Sequence, residues 1–128
     1  MKRPIWVLKE TVLALQERLL AEFGGACGLR DEGLLDSALA RAENLLAYGK
    51  PTLFELAASY AQGLVRNHPF LDGNKRIGFT TAVLFLELNG YHFVASEVDA
   101  TVQTLALAAR DLDEAGYAAW LKKNAKKA

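Results

Sequence analysis

The sequence predicts an all-α protein, a compact bundle of about six helices around a buried central helix. Apolar residues recur at steps of three and four along most of the 128 residues. The three prolines and most of the glycines lie between these segments, where the helices must break. The length and the 52% hydrophobic content suit one folded domain over residues 1–128.

The first two helices are predicted from apolar faces with clear ends. A first helix covers about residues 8–23, with Val12, Leu15 and Leu19 on one face. The glycine pair that follows ends it, because glycine tolerates the left-handed conformation. The second helix begins near Asp31, whose carboxylate suits the positive end of the helix dipole.

The third and fourth helices flank a break at Pro69. Thr52 and Glu55 have the spacing of a capping box and predict the start of the third helix. Pro69 prevents regular helix throughout residues 66–72. The fourth helix runs from about Gly73 to Leu88 and is apolar on nearly every side, which predicts the buried central helix.

Two further helices complete the bundle. Ser96 and Asp99 predict the cap of a fifth helix that ends near Ala109, and a last helix covers about residues 113–122. The lysines that follow are interpreted as a solvated tail. His92 is interpreted as a structural histidine and not a ligand.

Composition excludes several functions. Fifteen basic and fifteen acidic residues give a formal net charge of zero, which argues against direct binding of nucleic acid. No apolar run reaches the ~18 residues of a membrane span, and the N-terminus has too few apolar residues for a signal peptide. Cys27 is the one cysteine, and no Cys/His cluster has zinc-ligand spacing. We therefore expect a cytoplasmic protein with no membrane association.

Chemistry is concentrated in residues 66–76, where charged side chains lie between two apolar helices. Residues 72–74 begin a helix, and the first amides of a helix lack intrahelical acceptors and attract phosphate. Lys75 and Arg76 place cations at the positive end of the dipole, which is unfavourable unless an anion binds there. This conflict indicates a phosphate ligand.

Asp72 and His68 complete a set of groups suited to phosphoryl or nucleotidyl transfer. A carboxylate beside phosphates is a typical Mg²⁺ ligand, and imidazole is a common general base near neutral pH. Each residue alone has an ordinary structural explanation: a structural histidine, an N-cap, a turn or a solvated face. Their ordered combination favours catalysis.

Residues 68–76, HPFLDGNKR, resemble the signature H-P-F-x-D/E-G-N-x-R of the Fic/Doc superfamily. The resemblance is greatest to the Doc (death-on-curing) branch, the toxins of toxin–antitoxin modules. It extends over most of the chain, since residues 24–40 are similar to the N-terminal half of Doc proteins.

The resemblance implies a role for each residue of the motif. His68 would be the general base that takes a proton from a target hydroxyl. Asp72 would hold Mg²⁺ on the phosphates of ATP. Gly73 and Asn74 would form the anion hole, and Arg76 would bind phosphate and offset charge in the transition state.

Two positions distinguish the reaction type. Family members that transfer AMP commonly have glycine where this chain has Lys75, and a second arginine where it has Phe79. The Doc branch shares both changes and transfers the γ-phosphate, with Lys75 near the reacting group. The resemblance therefore implies a protein kinase. The family's target is a threonine of elongation factor Tu, whose phosphorylation stops translation.

Phe70 would anchor the loop in the core.

AMP transfer and a non-catalytic binding module are the alternatives, and DNA binding is disfavoured by the net charge. Arg66 either contacts the target protein or is simply exposed. Residues 48–51 are either a flap that aligns the target or a plain connection between helices.

The resemblance also implies a partner. No Ser or Thr is followed four residues later by Glu, so the inhibitory pattern S/T-x-x-x-E-G/N of many Fic proteins is missing from the sequence. We expect inhibition by a Phd-type antitoxin whose disordered segment folds against the toxin as a helix in a groove.

Overall fold

Six α-helices and one two-stranded sheet make up residues 3–128, the part of the chain that the computed structural model describes. The all-α prediction is confirmed. In chain order the elements are α1 (Lys9–Phe23), α2 (Glu32–Tyr48), α3 (Leu53–Asn67), α4 (Asn74–Leu88), β1 (Tyr91–Phe93), α5 (Glu97–Ala108), α6 (Glu114–Lys123) and β2 (Ala125–Lys127).

Local sequence signals set the beginnings of the helices as predicted. The Thr52 side chain accepts from the Glu55 amide, and the Glu55 carboxylate accepts in return from the Thr52 amide, so the capping box is complete. At the start of α2 the Asp31 side chain accepts from the Leu34 amide, and at the start of α5 the Ser96 side chain accepts from the Asp99 amide. These contacts satisfy amides that the helix itself leaves without acceptors.

The central helix of the bundle is α3, so the prediction that the helix from Gly73 to Leu88 is central is wrong. Nine of the fifteen residues of α3 are buried, against seven of fifteen in α4. Small residues permit the close approach of its neighbours: a Cβ on Gly63 would lie 3.0 Å from the Ala38 backbone in α2. A Cβ on Gly78 of α4 would lie 2.8 Å from Val65 of α3. Close contact and large buried apolar side chains, among them Leu56, Tyr60 and Leu64, together mark α3 as the centre.

The sheet was not predicted. β1 pairs antiparallel with β2, with Tyr91 opposite Lys127, so the lysine tail is partly a strand rather than only a solvated end. Three-residue strands carry too little alternation to be recognised in a sequence. His92 lies on the exposed side of β1, with Nδ1 3.6 Å from Glu87 Oε1.

Aromatic packing fixes α3 against α4. The Tyr60 and Phe85 ring centroids lie 5.3 Å apart, and Trp6 stacks on the other side of Phe85 at 6.1 Å. This core holds the loop between α3 and α4 on a rigid base. Within residues 3–128, no helix is long and apolar enough to cross a membrane.

Candidate active site

The first part of the motif at residues 68–76 forms the loop between α3 and α4, and the left-handed residues His68 and Gly73 stand at its two ends. His68 follows the last residue of α3 with φ 48° and ψ 55°. Gly73 precedes α4 with φ 76° and ψ 18°. The predicted break at Pro69 is therefore confirmed, because the helix ends at Asn67.

The segment after α1 holds this loop from outside. Leu29 and Phe70 form an isolated antiparallel bridge. The Arg30 and Asp31 amides donate to the Pro69 carbonyl at 2.7 and 3.0 Å. The Phe70 side chain is only 2% exposed, which fits the prediction that it anchors the loop.

Asn74 ties the loop together from inside. Its side chain is buried, accepts from the Phe70 amide at 3.0 Å and donates to the Phe70 carbonyl at 3.0 Å. Its Nδ2 also lies 3.4 Å from Nδ1 of His68. That contact is long for a hydrogen bond, so it restrains the position of the ring without fixing which nitrogen carries the proton.

The His68 side chain is exposed, and its ring lies beside Asn74, the first residue of α4. Its ring is therefore accessible to a target rather than turned into the core. A histidine held by backbone contacts and open to solvent can accept a proton from a bound hydroxyl group.

The start of α4 has the properties expected of an anion site. Among the described residues, no side chain caps this helix, and its first turn carries no acidic residue. Lys75 and Arg76 are both exposed there, and the Arg76 guanidinium lies 4.0 Å from the centre of the Phe23 ring. Free amides, the dipole and two cations together attract phosphate.

Asp72 lies at the edge of this site and is exposed. Its Oδ1 accepts from the Gly73 amide at 2.9 Å, and its Oδ2 accepts from the Ala26 amide at 3.4 Å. A Cβ on Gly25 would lie 2.9 Å from Oδ2, so this glycine leaves room for the carboxylate. Within residues 3–128, no group of three or more His, Cys, Asp or Glu residues is placed to hold a metal ion.

An open cleft of about 650 Å³ begins at this helix end and extends between α1 and α5. Of the predicted site residues, those from 72 to 76 line it, whereas His68 lies outside its lining. Its other walls are Leu19, Phe23, Phe79, Thr80, Glu97, Ala100, Thr101, Thr104 and Leu105. Residues 72–76 thus provide a place for an anionic ligand within the cleft, and the His68 ring lies next to it, beside Asn74.

Gln16 belongs to the site and was not predicted. It is 3% exposed, and its Nε2 donates to the Asp72 carbonyl at 2.5 Å. Its Oε1 is buried and has no hydrogen-bond partner within residues 3–128. A polar residue four positions after Val12, on the buried face of α1, was the available signal.

Arg30 was also missed as a functional candidate. Its Nε donates to the His68 carbonyl at 2.7 Å, and its Nη2 donates to the Asn67 carbonyl at 2.8 Å. The sequence gives no sign of this contact, because the two segments are distant along the chain.

Arg66 is not simply exposed, which is one of the two alternatives expected for it, and its contact with a target protein stays a prediction. Its side chain is half-buried rather than exposed, and Nη2 donates to the Leu107 carbonyl at the end of α5, at 3.3 Å. The side chain of Arg66 is thus engaged within the fold.

Phe79, at the position of the missing second arginine, belongs to an aromatic cluster. Its ring lies 5.8 Å from that of Phe93 and 6.3 Å from that of Trp120. The same side chain lines the cleft. An apolar ring therefore occupies the place where a phosphate-binding cation is expected for AMP transfer.

Comparison with known proteins agrees with this arrangement. A sequence profile described as the Fic/DOC family matches residues 6–86, which include the whole motif. The chain belongs to this family.

Two named relatives are similar to this chain over more than half of its length. A protein named Toxin Doc, from Mycolicibacterium smegmatis, is 41% identical over 104 residues, which is 77% of this chain and 79% of the relative. A protein named Protein kinase doc, from Escherichia phage P1, is 37% identical over 82 residues, which is 63% of this chain and 65% of that relative.

Proposed function

We propose that this protein is the toxin of a toxin–antitoxin module and acts as a protein kinase. It transfers the γ-phosphate of ATP to the hydroxyl group of a threonine in a translation factor such as elongation factor Tu. Translation stops as a result, and the site of action is the bacterial cytoplasm. One observation carries the proposal: exposed His68 lies beside an uncapped helix start that bears Lys75 and Arg76 and opens into the cleft.

The residues fit ATP and Mg²⁺. The first amides of α4, with Lys75 and Arg76, would contact the phosphates, and Asp72 would provide a carboxylate oxygen to the metal ion. A single carboxylate is sufficient, because Mg²⁺ usually takes its remaining ligands from phosphate and water. When bound, ATP and Mg²⁺ would supply the phosphoryl group and neutralise its charge.

His68 would act on the target rather than on the nucleotide. Its ring would take the proton from the threonine hydroxyl as the new oxygen–phosphorus bond forms and the bond to ADP breaks. Asn74 and Phe70 would keep the ring within reach of the cleft. Arg76, its guanidinium over Phe23, would offset negative charge in the transition state.

Phosphate transfer is favoured over AMP transfer by the surroundings of Phe79. An aromatic ring in contact with Phe93 and Trp120 cannot hold the distal phosphates as an arginine would. Lys75 is exposed in the first turn of α4 and adds a cation there. The name of the phage relative, a protein kinase, supports the same reaction.

We further propose a Phd-type antitoxin as the partner. Val98, Val102 and Leu105 lie one helical turn apart on α5 and are 75%, 54% and 48% exposed. Leu105 also lines the cleft, so the stripe continues into it. A helical segment of the antitoxin with its own apolar face could cover the stripe and close the cleft. The substitutions V98E and V102E should abolish inhibition by this segment and leave kinase activity intact.

The decisive test combines the wild-type protein and His68→Ala with elongation factor Tu, ATP and Mg²⁺, followed by intact-mass analysis. We expect the wild type to add one phosphate and the variant to add none. Addition of AMP would instead establish the alternative reaction. Growth arrest that persists with His68→Ala would favour a binding module, because binding does not need a base.

A further inference from the structure

We propose that Arg30 is a positioning residue that holds His68 in its active conformation. The inference rests on the proposed function, in which His68 is the base. Arg30 lies in the connection between α1 and α2, outside the motif and outside the lining of the cleft. It acts on the catalytic histidine through the backbone rather than by contact with nucleotide.

The contact satisfies the end of α3. The last carbonyls of a helix have no intrahelical donors, and here two of them are taken by one guanidinium. Nε of Arg30 donates to the His68 carbonyl at 2.7 Å, and Nη2 donates to the Asn67 carbonyl at 2.8 Å. The planar fork of arginine suits two neighbouring acceptors, and its charge suits the negative end of the helix dipole.

His68 needs this support because of its backbone. A non-glycine residue at φ 48° lies in the sparsely occupied left-handed region and persists there only where the surroundings enforce it. Relaxation of this residue would rotate the bond to its side chain and move the ring. Among the described residues, it is Arg30 that donates a hydrogen bond to the His68 carbonyl.

Neighbouring contacts hold the flanking residues, and besides Arg30 His68 itself has the long contact between its ring and the Asn74 side chain. The Asn67 side chain donates to the Leu34 carbonyl at 3.0 Å, and the amides of residues 30 and 31 donate to the Pro69 carbonyl. These bonds would keep the loop in place after Arg30 is truncated. The expected defect is therefore local misplacement of the ring, not unfolding.

The predicted kinetic effect is selective. A displacement of about 1 Å at a reacting group can cost on the order of 100-fold in rate. We expect Arg30→Ala to lower kcat by about 10- to 100-fold and to leave the KM for ATP nearly unchanged, since the anion site is separate. Lysine can donate to only one of the two carbonyls at a time in good geometry, so the kcat of Arg30→Lys should lie between those of the wild type and Arg30→Ala.

The experiment measures kcat and KM of the wild type, Arg30→Ala and Arg30→Lys, with Arg41→Ala as control. Arg41 also makes a side-chain contact between segments, an ion pair with Glu114, but this joins α2 to α6 away from the loop. Added guanidinium ion should partly restore Arg30→Ala. The double variant with His68→Ala should be no slower than His68→Ala alone, because Arg30 acts through that residue.

A second readout does not depend on activity. His68 is one of only two histidines, so the ring signals in an NMR spectrum can be assigned with a His92→Gln variant. We expect Arg30→Ala to shift and broaden the His68 ring signals, whereas Arg41→Ala leaves them in place. Unchanged ring signals, unchanged kcat or an additive loss in the double variant would overturn the inference. An inactive wild type whose His68 signals still respond to Arg30→Ala would reject only the proposed kinase function.

Discussion

Asn74 provides a sharp test of how the loop is built, because one buried amide pairs with both backbone groups of Phe70. Asn74→Ala leaves the Phe70 amide and carbonyl without their partners in a place where the residue is only 2% exposed. Each buried polar group left unpaired costs about 1–3 kcal/mol. Because water can reach part of the loop, we expect a loss of about 2–4 kcal/mol in the free energy of unfolding.

Thermal and chemical denaturation measure this loss. For a chain of this size, a loss of that magnitude lowers Tm by roughly 10 °C. Asn74→Asp keeps the acceptor for the Phe70 amide but loses both Nδ2 contacts, so it should be intermediate in stability. Both variants should lose phosphate transfer by about 100-fold at temperatures well below Tm, because the His68 ring is no longer restrained.

Asn89→Ala is the matched control. The Asn89 side chain also pairs with both backbone groups of one residue, accepting from the Ile5 amide at 2.7 Å and donating to its carbonyl at 2.9 Å. The Ile5 groups are exposed, so water replaces these bonds, and the Phe85 carbonyl that Asn89 Nδ2 also reaches keeps the Asn89 backbone amide as a donor. We expect a loss of only about 1 kcal/mol with full activity. Equal losses of stability for the two variants, or an active Asn74→Ala protein, would refute the reasoning.

Three further predictions concern the anion site and the core. Gly73→Ala should lose the ATP binding that calorimetry measures, because Gly73 has φ +76° and the new Cβ would lie 3.1 Å from the Gln16 side chain of α1. The control is Gly90→Ala, at φ +92° with open space around the new Cβ, which should bind ATP normally. Burial raises the pKa of Tyr117 from 10.0 to about 12 in the folded protein. As the pH rises, Tyr117 therefore ionises first in the unfolded chain, and the free energy of unfolding should fall between pH 10.0 and about 12. This contribution, about 3 kcal/mol, should be missing when the free energy of unfolding of Tyr117→Phe is measured against pH, but present for the control Tyr48→Phe, whose side chain is exposed. A pH dependence of Tyr117→Phe equal to that of the wild type would contradict this prediction. Phe23→Ala should raise the KM for ATP a few-fold, because the ring under the Arg76 guanidinium contributes about 0.5–1 kcal/mol at an exposed site; an unchanged KM would exclude this role.

Local features of the fold could be predicted because each depends on residues close together in sequence. Thr52 and Glu55 form their capping box within one turn, and Pro69 ends α3 by its own geometry. The position of α3 at the centre was missed, because its buried apolar residues are joined by a close backbone contact at Gly63 that depends on α2, a separate segment of the chain. The strand pair was missed because each strand is too short to show a pattern.

The residues of the candidate site also fall into two groups, those that the motif predicts and those that only the structure reveals. The motif itself identified the loop, the start of α4 and the residues that line the cleft from 72 to 76. Arg30 and Gln16 could not be found, because each contacts the loop from a segment far away in the sequence. Asn74 and the backbone around it were expected in the anion hole, but that its side chain pairs with the Phe70 backbone was not foreseen, because no sequence pattern reveals where a side-chain amide finds its partners.

The central claim is that His68 beside the start of α4 forms a phosphate-transferring site. The most direct measurement uses ATP radiolabelled in either the γ- or the α-phosphate, with elongation factor Tu as acceptor. We predict that the wild type transfers the γ-label alone and that His68→Ala transfers neither. Transfer of the α-label, or transfer by His68→Ala at the wild-type rate, would contradict the account.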